Sequence, residues 1–134
     1  MRKLNAPTAY DYVQALYRLI TVQSGSMAVA ESATREIFLE AFEHSGRQLE
    51  HLDFVALFRN AFQRSELYPR SSESQLAGWP RKLNRLPEPE RFSITLFYLE
   101  VVYPSVIAEI TGTTLEALAA TIRRARKELE SQPS

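Results

Sequence analysis

The sequence predicts an all-α fold: two small helical lobes joined by a linker, the C-terminal lobe carrying a helix-turn-helix. Three observations carry this. Apolar residues recur at three- and four-residue spacing along most of the chain, the period of an amphipathic helix. Three of the four glycines, Gly25, Gly46 and Gly112, fall where those stretches break, as expected of helix C-termini. Strand-type alternation is missing except at 92–98, where length and a flanking proline favour helix. At 134 residues the chain divides into lobes of about 60 residues, each able to bury only a modest core. The expected divisions are 1–66 for the first lobe, 67–84 for the linker and 85–134 for the second lobe.

The first helix is expected from about Thr8, a candidate N-cap, to Val22, with Tyr12, Leu16, Leu19 and Ile20 at helical spacing. The second runs from about Ala28 to His44, its stripe of Ala33, Ile37, Phe38, Ala41 and Phe42 lying opposite Glu36, Glu40 and Glu43. The third begins near Leu52 and carries Val55, Leu57, Phe58, Ala61 and Phe62, ending before Pro69. Turn formers then mix with isolated apolar residues, which reads as the linker; its Trp79, the single tryptophan, is expected to dock into a lobe. Beyond Pro89, tolerated in a first helical turn, Phe92, Ile94, Leu96, Phe97 and Leu99 are apolar over more than one face and predict the central helix of the second lobe. A short helix from Pro104 to Ile110, a turn at Thr111-Gly112 and a long helix from Thr113 to about Glu130 complete the chain. Thr113 and Glu116 are spaced as a capping box for that last helix.

Composition narrows the function. Hydrophobic residues make up 45% and charged residues 24%, which describes a folding chain rather than a disordered one. No run approaches the roughly 20 apolar residues that cross a bilayer, and the first residues lack an apolar signal core, so a cytoplasmic protein without membrane insertion is expected. The absence of cysteine excludes disulfides, thiol catalysis and thiolate metal sites. His44 and His51 complete no familiar ligand spacing, and no metal or other cofactor is expected. Neither a phosphate-binding glycine loop nor a nucleophile elbow is present, so no catalytic residue is assigned. Sixteen basic and sixteen acidic residues cancel, so any nucleic-acid binding must come from a local patch. The last helix offers one, in Arg123, Arg124, Arg126 and Lys127.

A short helix, a glycine turn and a longer capped helix make a unit that fits a major groove. Ile107 and Ile110 would pack the first helix onto Leu118 and Ile122 of the second, leaving the second to protrude. On this pattern alone the same unit serves equally as a helical hairpin at a protein interface, its basic cluster a solvated C-terminus favoured by the helix dipole.

Four segments together narrow the choice: Arg85-Leu86-Pro87-Glu88-Pro89-Glu90-Arg91, Leu96-Phe97-Tyr98-Leu99-Glu100, Ile107-Ala108-Glu109-Ile110-Thr111-Gly112 and Ile122-Arg123-Arg124-Ala125-Arg126-Lys127-Glu128-Leu129. In order and spacing they resemble region 4 of the extracytoplasmic-function sigma factors of bacterial RNA polymerase. The first lobe is similar to region 2 through Leu16-Tyr17-Arg18-Leu19, Glu36-Ile37-Phe38-Leu39-Glu40-Ala41-Phe42 and Leu57-Phe58-Arg59-Asn60-Ala61-Phe62.

The resemblance implies a transcription initiation factor that binds RNA polymerase core and directs it to promoter DNA, and that is not an enzyme. It implies minus-35 contacts through Thr113, Thr114, Glu116, Ala117, Ala120, Arg123, Arg124, Arg126 and Lys127; minus-10 contacts through Arg59, Asn60, Gln63 and Arg64; and polymerase contacts through Glu31, Arg35, Glu36, Leu39 and Glu40. Phe58 and Phe62 are expected in the core rather than on bases. An anti-sigma factor is a further implied partner. Ala119 and Thr121 stand where the family presents cations, so weakened DNA affinity is expected; Ser32 and Arg35 replace an acidic-polar stretch, a departure from the family's polymerase contacts at those two positions. The alternative expectation is a sigma-like decoy or interaction module that binds a regulator without initiating transcription.

Overall fold

The computed structural model describes residues 7–68 and 76–132. The expectations placed on the first six residues and on 69–75 lie outside them. Every element among the described residues is helical and none is a strand.

Local chemistry sets the helix ends. Helix α1 spans Ala9–Ser24: the Thr8 hydroxyl accepts the Asp11 N–H at 3.2 Å and the Asp11 carboxylate accepts the Thr8 N–H at 2.9 Å, a reciprocal capping box. It runs two residues beyond the expected Val22 and stops at Gly25, whose φ of 77° is left-handed. Helix α2, Met27–His44, is capped by Ser26. Helix α3, Phe54–Gln63, is capped by Asp53, whose carboxylate accepts the N–H groups of Val55 and Ala56. Helix α4, Gly78–Asn84, lies inside the stretch expected as linker. Helices α5, Glu90–Leu99, α6, Pro104–Thr111, and α7, Leu115–Ser131, complete the chain.

The capping box expected at Thr113 and Glu116 does not form. The N–H of Thr113 bonds back to the carbonyl of Ala108 at 2.9 Å and that of Gly112 to Glu109 at 3.2 Å, closing α6 in a Schellman turn around the left-handed Gly112. Thr113 therefore belongs to the end of α6. The cap moves one residue on, to Thr114, whose hydroxyl accepts the Ala117 N–H at 3.0 Å.

The core differs from two lobes with a core each. One buried cluster draws Leu16, Leu19 and Ile20 from α1, Ile37 from α2 and Leu57 and Phe58 from α3, and continues through Phe92 and Leu96 of α5, Ile107 of α6 and Leu118 and Ile122 of α7. The rings of Phe62 and Phe92 meet across this seam at 4.7 Å. A second cluster joins Val22 of α1 to Leu83, Leu86, Ile94, Ala125 and Leu129. Residues 19–25 and 91–96 are buried without a break, so the end of α1 and the start of α5 are enclosed on all sides. The reason is surface to volume: units of about 60 residues gain by sharing apolar surface that each would otherwise expose.

Polar groups close the seam. The last carbonyls of α1 have no partner within their own helix. Asn84 Nδ2 donates to the carbonyl of Val22 at 2.6 Å, and the buried Arg91 guanidinium donates to those of Gln23 at 2.8 Å and Leu86 at 2.9 Å. A cation at the negative end of the α1 dipole is favoured further. Trp79 departs from expectation: it is 61% exposed, with the Lys82 ammonium 5.3 Å from its ring centre, because Leu76 and Leu83 take the buried positions around α4.

Candidate nucleic-acid interface

Helix α7 has two unlike faces. Leu118, Ile122, Ala125 and Leu129 are buried, at steps of four, three and four residues that hold one side of a helix. The same steps on the far side collect Glu116, Ala120, Arg123 and Lys127. That outward stripe begins with a carboxylate and a methyl group, and its two cations sit in the C-terminal half. The left-handed Gly112 turns the chain between α6 and α7, so α7 is a separate rod whose first turn lies at the surface: Thr113 through Ala117 are all exposed.

The remaining cations on α7 have neighbours. Arg124 lies 3.8 Å from the Glu90 carboxylate and donates to the Thr121 hydroxyl at 3.2 Å. Arg126 donates to the Tyr98 hydroxyl at 3.4 Å and stands 5.9 Å from the centre of the Phe97 ring, a cation–π arrangement. Arg123 and Lys127 are exposed, and they are the outward cations of the stripe. Thr114, expected among the minus-35 contacts, spends its hydroxyl on the helix cap. Ala120 is partly covered, whereas its neighbour Ala119 is exposed.

On the first three helices the structure brings together residues the resemblance had assigned to different partners. Asn60 Nδ2 donates to the Glu40 carboxylate at 2.8 Å, Arg64 Nε donates to Asn60 Oδ1 at 2.8 Å, and Arg64 also pairs with Glu36 at 3.2 Å. Asn60 and Arg64, expected at the minus-10 element, and Glu36 and Glu40, expected on polymerase, thus form one network across α2 and α3. Its cation is matched by carboxylates, which lowers its pull on phosphate. Arg59 and Gln63 line a cavity of about 350 Å³ beside Glu40, His44, His51 and Asp53. Glu31 and Arg35 pair at 3.6 Å on the exposed side of α2, and Leu39 is 51% exposed there. Phe58 is fully buried and Phe62 partly so, so both belong to the core.

Arg91 and Asn84 are the residues whose part sequence reasoning missed. Arg91 lies inside the motif Arg85–Arg91, which gave it no part of its own; a charged residue directly preceding a stretch apolar over more than one face was the available signal. Among the described residues no group of three or more metal-type side chains converges, and no helix is long and apolar enough to cross a membrane. Comparison with protein-family models, curated proteins and solved structures finds no match.

Proposed function

We propose that this chain is a sigma-like transcription initiation factor of the cytoplasm, which meets RNA polymerase core with the exposed side of α2 and offers α7 to promoter DNA. The observation that carries the reading is the exposed stripe on α7, with Arg123 and Lys127 set beyond a chain reversal at Gly112. Cations on the outward face of a surface helix hold it against phosphate while its first turn reaches base edges. That first turn carries Glu116 and Ala117 and no cation, so affinity rests on few phosphate contacts and salt weakens it with a shallow slope.

A second reading, a sigma-like module that binds a regulator such as an anti-sigma factor without initiating transcription, is favoured by the shared core. Minus-35 and minus-10 elements lie about 25 base pairs apart, or about 85 Å at roughly 3.4 Å per step. A compact chain of this size is about 35 Å across. Engaging both elements at once requires the buried seam to part.

In vitro transcription with core polymerase and a promoter library separates the two. Promoter-dependent initiation, lost in the Arg123→Ala/Lys127→Ala double variant, is the expected result. Core binding without initiation leaves the module reading, and failure to bind core at all removes the initiation factor. DNA binding by the double variant should show a salt slope smaller by about 2.

A further inference from the structure

We propose that the outward face of α4 binds single-stranded DNA, stacking one base on Trp79 and holding the flanking phosphates with Arg81, Lys82 and Arg85. Helix α4 turns Leu83 and Asn84 inward, onto the end of α1. Trp79 and Lys82 are three residues apart and Arg81 and Arg85 four, spacings that make neighbours on a helix surface. Arg85 keeps the helical course, with φ −76° and ψ −15°, so the four side chains share the side of α4 opposite Leu83 and Asn84. No acidic residue occurs at 76–87, and none of the three cations is in an ion pair among the described residues. The next carboxylates along the chain are engaged: Glu88 accepts the Phe92 N–H at 3.0 Å and lies 3.9 Å from Arg91, and Glu90 lies 3.8 Å from Arg124. The face is therefore a local patch of one charge, complementary to an anion from outside.

The indole selects among anions. Lys82 stands 5.3 Å from its centre on one side, yet Trp79 is 61% exposed; a ring covered on both faces would keep far less, so one face is open. An unpaired base lays its own ring plane there, and the phosphates on either side of it reach the arginines, whose planar guanidinium takes two phosphate oxygens at once. A duplex keeps its base planes inside the stack and offers only edges and backbone. A helix lying on a membrane needs an apolar face toward the lipid, whereas α4 buries its leucine and leaves one aromatic ring outside. A run of Asp and Glu matches the charge and gives the indole no plane to stack on. The choice of DNA over RNA rests on the promoter reading above; the stacking and phosphate contacts do not.

The test titrates the whole chain into end-labelled hexathymidylate, read by anisotropy, with the emission of Trp79, the single tryptophan, as a second signal. Saturable binding that quenches Trp79 is expected, about tenfold tighter than to an abasic hexamer of equal charge, with a log–log salt slope of about −2 from three phosphates on a single strand. Trp79→Ala is expected to remove the preference over the abasic strand and keep the slope. Arg81→Ala/Arg85→Ala is expected to flatten the slope by about 1.4 and keep the preference. Both variants change exposed side chains, so Tm should stay within about 3 °C. The proposal is overturned if the hexamer does not bind, if the abasic strand binds as well, or if Trp79 emission does not move. Hexauridylate bound more than about tenfold tighter, or hexaglutamate or phosphatidylglycerol vesicles competing as well as DNA at equal charge, also overturns it. Arg123→Ala/Lys127→Ala should leave hexamer binding within about twofold; if it abolishes binding while the α4 variants retain it, the strand lies on α7 and the proposal falls. Absence of promoter-directed initiation with hexamer binding intact would sink the promoter reading and leave this site standing.

Discussion

Arg91 holds a charge almost out of reach of water and spends it on the carbonyls of Gln23 and Leu86. Removing such a donor leaves buried acceptors bare, which costs more than the bond itself contributes. Arg91→Met keeps much of the apolar stem and deletes the guanidinium; we expect a loss of about 2–4 kcal/mol in urea unfolding. Arg85, outside the seam and exposed, is the control: Arg85→Met should change stability by less than about 0.5 kcal/mol. Equal effects at the two positions would show that the seam bonds contribute nothing. Sequence alone does not separate these two arginines, because both stand in one motif and differ only in what the fold places against them.

At the level of elements, the α6–α7 connection is set by backbone conformation. Gly112 has φ 71° with open space where a Cβ would stand, so substitution meets strain rather than collision. Gly112→Ala should cost about 1–2 kcal/mol in thermal or urea unfolding. Thr114→Ala should cost about 1 kcal/mol through loss of the cap, while Thr113→Ala stays within about 0.5 kcal/mol; the reverse order would restore the capping box at Thr113. The glycine was legible as a helix stop, as were Thr8 and the apolar spacing of α1 to α3. The cap register was not, because two adjacent threonines both satisfy the pattern and the Schellman turn at Gly112 decides which one is left over.

For the molecule as a whole, the shared core has a thermodynamic consequence. Phe58, Phe92, Ile107 and Leu118 belong to one buried cluster, so the N- and C-terminal helices unfold together if that cluster provides most of the stability. We expect calorimetry to give a single transition with matching calorimetric and van't Hoff enthalpies, and Phe92→Ala to lower it by about 3–5 kcal/mol without splitting it. Two resolved transitions would mean that the halves fold on their own and merely touch.

The helical class, the number of helices after Pro87 and the buried stripe of α7 could be read from the chain, because each depends on the spacing of residues within a few turns of one another. The lone tryptophan at the surface, the joining of Asn60 and Arg64 to Glu36 and Glu40, and the capping of α1 by Asn84 and Arg91 could not. These depend on which surfaces meet across separations of 20 to 68 residues. Local periodicity tells a helix which face to bury, and only the folded chain decides against what.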